Sequence, residues 1–135
     1  MKLCRTRHSV YNINCHFVWI PKYRRSILNG QIKADLEGLI KNYALNSEIE
    51  ILSLSIQPAH VHLFVSAPPR FSPSQLINLF KGATARELLK RYPNLNGRST
   101  AKRRGRMWTQ SYYVGTAGTV SAKTIEHYIA ECQDE

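Results

Sequence analysis

The sequence predicts an α+β fold of the ferredoxin-like (RRM-like) kind. That is a βαββαβ antiparallel sheet with two helices on one face and an extra C-terminal helix on the other. Three observations carry this. Residues 11–20 and 60–67 alternate between apolar and polar side chains, the period of half-buried strands. Residues 31–46 and 73–91 instead place apolar residues three and four apart, the period of helices packed on one side. Read in order, the patterns run strand, helix, strand, strand, helix, strand, and then one more helix.

Residues 1–10 are basic and polar, with Lys2, Arg5, Arg7 and His8, and read as a short arm. In the first strand Tyr11, Ile13, Cys15, Phe17 and Trp19 share one face; Asn12, Asn14, His16 and Val18 share the other. Pro21 ends it, and the basic cluster Lys22-Tyr23-Arg24-Arg25 follows. The first helix buries Ile32, Leu36, Leu39, Ile40 and Tyr43. A strand over 49–56 is separated by Pro58 from the next, so the two form a hairpin. In that next strand Val61, Leu63, Val65 and Ala67 lie on one face, and His60, His62, Phe64 and Ser66 on the other.

Ser72-Pro73-Ser74-Gln75 is a strong helix start: Ser72 suits the N-cap, Pro73 the first helical position, and Gln75 completes a capping box. The expected buried stripe is Leu76, Leu79, Phe80, Ala83, Leu88 and Leu89. A basic loop over 93–106 contains Lys102, Arg103 and Arg104, and a last strand covers Met107 to Val114. The chain reads as a single domain, 1–135. It has a core with its N-terminal arm over 1–114, a hinge over 115–120, and a C-terminal helix over 121–135 carrying Ile125, Tyr128, Ile129 and Cys132 on one side. The first and third strands of the main pattern become central neighbours, with His16, His60 and His62 on the open side of the sheet.

Charge narrows the function. Lysine and arginine number 19 against 9 acidic residues, a net charge of +10. On a domain of this size the excess points to a polyanion, most often nucleic acid. No apolar run is long enough for a bilayer and no strongly basic amphipathic helix is present, which argues against a membrane role. Cys4, Cys15 and Cys132 are odd in number and widely spaced, with no Cys-x-x-Cys pair. A disulfide framework is not indicated, and a cytoplasmic location fits.

His60 and His62 stand side by side on one strand face, a geometry suited to one divalent metal. Further ligands must come from elsewhere, such as His16 or the last helix. An added oxygen donor suits Mg²⁺ or Mn²⁺ beside a phosphate, or Zn²⁺. Tyr128 is a candidate nucleophile for a phosphodiester. By spacing alone, beside Ile125 and Ile129, it fits a packing role at least as well.

Several stretches together resemble the single-tyrosine HUH transposases of the IS200/IS605 insertion-sequence family. They are His16-Phe17-Val18-Trp19 with Pro21-Lys22-Tyr23-Arg24-Arg25, Pro58-Ala59-His60-Val61-His62-Leu63-Phe64-Val65, Leu79-Phe80-Lys81-Gly82, Met107 to Gly115, and Tyr128-Ile129. The resemblance implies a transposase that cleaves and transfers single-stranded DNA through a 5′-phosphotyrosine, with Mg²⁺ or Mn²⁺ as cofactor. It implies DNA hairpins near the transposon ends as the partner, and a homodimer whose active site is shared between protomers. It places the metal on His60 and His62 and the nucleophile on Tyr128, with Gly115 and Gly118 as the hinge.

The sequence departs from the family in two places. Ala59 stands where an acidic or amide residue often precedes the first histidine. The family's glutamine usually follows the tyrosine by four residues; Cys132 is there, and Gln133 comes one later. On an ideal helix Glu131 lies roughly 60° from Tyr128 and Gln133 roughly 140° away. Both remain candidates for the third metal ligand. Lys22, Arg24, Arg25, Lys102, Arg103 and Arg104 are the expected DNA-backbone contacts. The rival readings are a ferredoxin-like RNA-binding module and a metal-dependent phosphodiesterase using activated water.

Overall fold

The computed structural model describes residues 4–5, 10–11, 13–95 and 107–116. β1 (Cys4–Arg5), in the expected arm, pairs antiparallel with β2 (Val10–Tyr11), so Tyr11 belongs to this small ladder and not to the expected 11–20 strand. The main sheet begins with β3 (Asn14–Trp19), followed by a single-turn 3-10 helix over Lys22–Arg24 and by α1 (Gly30–Asn46). β4 (Glu50–Gln57) and β5 (His60–Ser66) form the hairpin, turning through Pro58 and Ala59. Then come α2 (Pro73–Arg91), a short 3-10 turn over Pro93–Leu95, and β6 (Tyr113–Gly115). The sheet order is β4-β5-β3-β6, every neighbour antiparallel.

This is the α+β, βαββαβ arrangement the sequence predicts, with β3 and β5 at its centre. The C-terminal helix from Ser121, the 117–120 part of the hinge and the basic run Lys102–Arg104 lie outside the described residues. Among the described residues, no helix is long and apolar enough to cross a membrane.

The core lies between the sheet and the two helices. Cys15, Phe17 and Trp19 of β3 are paired across the ladder with Val65, Leu63 and Val61 of β5. They pack with Leu36, Ile40 and Ala44 of α1 and with Leu76, Ile77, Phe80 and Leu88 of α2. At about 25 cal/mol per Å² of apolar surface removed from water, this burial is the main driving force of the fold. The α2 start forms as its sequence dictates: Ser72 Oγ accepts from Gln75 N, and Gln75 Oε1 accepts from Ser72 N.

Two further features differ from the sequence expectation. The buried face of α2 is rotated toward Ile77 and Thr84, leaving Leu79 and Ala83 half-buried at its margin. Thr84 is tolerated inside because its hydroxyl donates to Phe80 O at 2.7 Å and accepts from Trp108 Nε1 at 3.1 Å. The last strand is also shorter than Met107–Val114. Between the Val18–Tyr113 pair and the Pro21–Trp108 bridge, β3 advances three residues while the other strand advances five. The extra residues bulge away from the ladder. Their carbonyls have another partner: the Lys81 ammonium donates to Thr109 O at 2.6 Å, Ser111 O at 3.2 Å and Gln110 O at 3.3 Å.

Candidate functional site

The face of the sheet opposite the helices is built by register. Ser55, His62, Val18 and Tyr113 form one row across β4, β5, β3 and β6. Ser53, Phe64, His16 and Gly115 form the next. His60 lies beyond the first row, paired with Gln57. Strand alternation therefore delivers His16, His60 and His62 to one face, as the sequence indicates.

That face is less open than strand alternation implies. His16 is only 3% exposed. Its ring lies flat on Phe64, centroids 3.8 Å apart and planes 2° apart, and its Nδ1 is 3.0 Å from His62 Nε2. One of those nitrogens carries the proton and the other accepts it. Val18 and Ile20 are fully buried yet belong to no part of the helix-side core, so the β3 centre is covered on both sides. Gly115 pairs with His16 inside β6, so it is still a strand residue at the start of the expected hinge. A Cβ there would sit 2.7 Å from the Tyr113 hydroxyl, the tip of a half-buried side chain that would have to move aside.

His60 and His62 are half-buried. Burial lowers the His60 pKa from its ordinary value. Burial also lowers that of His62, and the nearby His16 and His60 charges add to it. Both shifts favour the neutral imidazole, the form that ligates metals. Among the described residues, no group of three His, Cys, Asp or Glu side chains is arranged to hold a metal. Two neutral, half-buried imidazoles on one face fit part of a metal's ligand set. Tyr128, Glu131 and Gln133 lie outside the described residues.

The basic cluster after β3 divides in two. Arg25 donates from Nε to Lys22 O at 3.1 Å and from a terminal guanidinium nitrogen to Leu95 O at 2.7 Å. It is half-buried, and burial lowers its pKa. Arg25 therefore works as an anchor for the turn, a role its place in a basic run does not reveal. Tyr23 and Arg24 are exposed, and both have left-handed backbones, φ 60° and 51°. Non-glycine residues there cost on the order of 1–3 kcal/mol each and persist only where the surroundings enforce them. The Arg25 bonds, Lys22 N to Met107 O at 2.7 Å and Arg24 N to Pro21 O at 2.8 Å supply that enforcement. Lys81, which restrains the 109–111 bulge, is a second residue whose role the sequence left unread.

Comparison with known proteins agrees with this architecture. The ISDra2 transposase TnpA of Deinococcus radiodurans is 28% identical over 135 residues, 100% of this chain and 94% of that protein. The transposase for insertion sequence element IS200 of Salmonella typhimurium is 27% identical over 128 residues, 95% of this chain and 82% of that protein. A solved transposase structure from Deinococcus radiodurans superposes with a TM-score of 0.77 at 29% identity, covering 95% of this chain and 96% of the other. The structure of a REP-associated tyrosine transposase bound to a REP hairpin shares the fold, with a TM-score of 0.58 at 15% identity, covering 96% and 69%. The family model described as "Transposase IS200 like" matches residues 9–132, nearly the whole chain. The chain therefore belongs to the IS200-like transposases.

Proposed function

We propose that this transposase cleaves and rejoins single-stranded DNA through a covalent 5′-phosphotyrosine on Tyr128, at a divalent metal centre built on His60 and His62. The observation that carries the reading is the pair of half-buried imidazoles, His60 and His62, two residues apart on the face opposite the helices. His60 and His62 would hold Mg²⁺ or Mn²⁺, with Glu131 or Gln133 as an oxygen donor. When bound, the ion polarises the scissile phosphate as a Lewis acid. The Tyr128 phenol oxygen attacks phosphorus and forms a P–O bond. The bond to the 3′-oxygen breaks, and that oxygen leaves as a hydroxyl, taking up the proton the phenol gives up. Attack by a different 3′-hydroxyl reverses the step and transfers the strand.

The substrate class is a single strand with a hairpin near the transposon end, and the REP-hairpin complex of a protein sharing this fold supports that choice. Lys22, Arg24 and the run Lys102, Arg103 and Arg104 would contact phosphates. The working unit in this reading is a homodimer, with Tyr128 serving the metal site of its own protomer or of the other. The sheet is a poor RNA-stacking platform, because Phe64 on its third sequence strand is already covered by His16.

The test uses end-labelled single strands carrying the hairpins that flank the chain's own gene, incubated with Mn²⁺ and run on a denaturing gel. A protein–DNA adduct is expected with the wild type and none with Tyr128→Phe, while DNA binding persists. An adduct retained by Tyr128→Phe, or cleavage by the wild type without any adduct, overturns the tyrosine mechanism. In the same preparations His60→Ala and His62→Ala should each weaken Mn²⁺ binding, read by calorimetry, by more than the roughly 10–100-fold expected for losing an outer-shell partner.

A further inference from the structure

The turn after β3 has features that backbone contact alone does not explain. Tyr23 is 54% exposed, although the other aromatic side chains among the described residues are buried or half-buried. Its backbone is held against strain: Tyr23 and Arg24 are consecutive left-handed residues in a turn pinned through Pro21, Lys22, Leu95 and Met107. The Lys22 ammonium lies 5.4 Å from the Tyr23 ring centroid, and Arg24 is exposed beside it. The pinning also ties distant backbone to this turn: the Arg25 guanidinium donates to Leu95 O and Lys22 N donates to Met107 O. Trp19 pairs with Val61, which puts the turn just past the end of the sheet where His60 stands.

We infer that Tyr23 is a stacking platform for an unpaired base of the bound strand, at the His60 end of the sheet. An exposed aromatic ring flanked by cations is the chemistry by which single-stranded nucleic acid is held: bases stack on the ring and phosphates lie on the charges. A duplex offers no free base face, so the platform selects unpaired DNA. The left-handed backbone keeps the ring presented without waiting for DNA, which lowers the ordering cost of binding. The inference rests on the single-stranded DNA reading above.

The test measures binding of a fluorescein-labelled oligodeoxythymidine of about 20 nucleotides, longer than the site of a single small binding fold. A duplex of equal length is the control, and a third strand carries 2-aminopurine as a stacking reporter. Tyr23→Ala should weaken single-strand binding about 5- to 150-fold, the range for loss of one base–aromatic stack. It should leave duplex binding, the salt dependence and the melting temperature unchanged. Tyr23→Phe should stay within about twofold of wild type and keep the 2-aminopurine quenching, since the ring and not the hydroxyl does the stacking. Lys22→Ala should instead lower the salt slope by about one. If Tyr23→Ala binds the single strand as wild type does, or if Tyr23→Phe loses as much as Tyr23→Ala, the platform is overturned. If the wild type binds neither oligodeoxythymidine nor the flanking hairpins, the single-stranded DNA reading falls, and the platform with it.

Discussion

The two sides of the sheet are cut from the same strands and differ in what specifies them. On the helix side, Phe17, Trp19, Val61, Leu63 and Val65 are packed without polar partners. On the other side His16, Phe64 and His62 are held by a ring stack and a 3.0 Å nitrogen–nitrogen contact, with His60 half-buried beside them. The first side is specified by apolar area and shape, and tolerates no cavity. The second is specified by directional contacts among histidines and an aromatic ring, so it answers to pH. The comparison teaches that stability and chemistry in this chain are separated by the strand period, one residue apart.

The largest expected effect tests the helix side. Phe17→Ala should lower unfolding free energy by about 3–5 kcal/mol, measured by urea denaturation. His62→Ala should cost much less stability while losing metal. Equal destabilisation by the two would break the distinction. Lys81→Met should cost about 1.5–3 kcal/mol, the range for bonds to a charged group. Hydrogen exchange should rise first at 109–111, because the ammonium holds those three carbonyls in the bulge. Ser72→Ala should cost about 1 kcal/mol through loss of the α2 cap, visible as a lowered urea midpoint with an unchanged slope.

The smallest expected change is with pH. The His60 and His62 pKa values are depressed in the folded chain. The unfolded chain therefore binds more protons just below the ordinary histidine value of about 6.5. With a chelator present, the stability these groups allow is complete above that pH and falls as pH drops through the folded values. A His60→Asn, His62→Asn double variant should flatten that decline in acid denaturation profiles. An unchanged decline would shift its origin to other groups.

Much of the fold was legible. The capping box at Ser72 and Gln75, the Pro58-Ala59 turn and the two alternating strands depend on near neighbours in sequence, and local rules read local interactions. The sheet order followed from connecting those elements in the expected topology. The end of the last strand did not follow, since a lysine 28 residues before Thr109 captures its carbonyl. Arg25 was grouped with its basic neighbours because a sequence shows charge but not the distant Leu95 carbonyl that receives it. The covered state of His16 was hidden for the same reason: its partners Phe64 and His62 are separated from it by a helix and a strand.

By itself the sequence determined the α+β class, the pairing of His60 with His62 on one face, and the polyanion-directed charge. These follow from periodicity and composition, which any conformation of the chain carries. Only the tertiary structure decided that His16 lies against His62, that Arg25 and Lys81 hold backbone, and that Tyr23 stands exposed in a left-handed turn. Those depend on contacts across dozens of residues. Such contacts exist only once burial of the helix-side core has brought the strands into register.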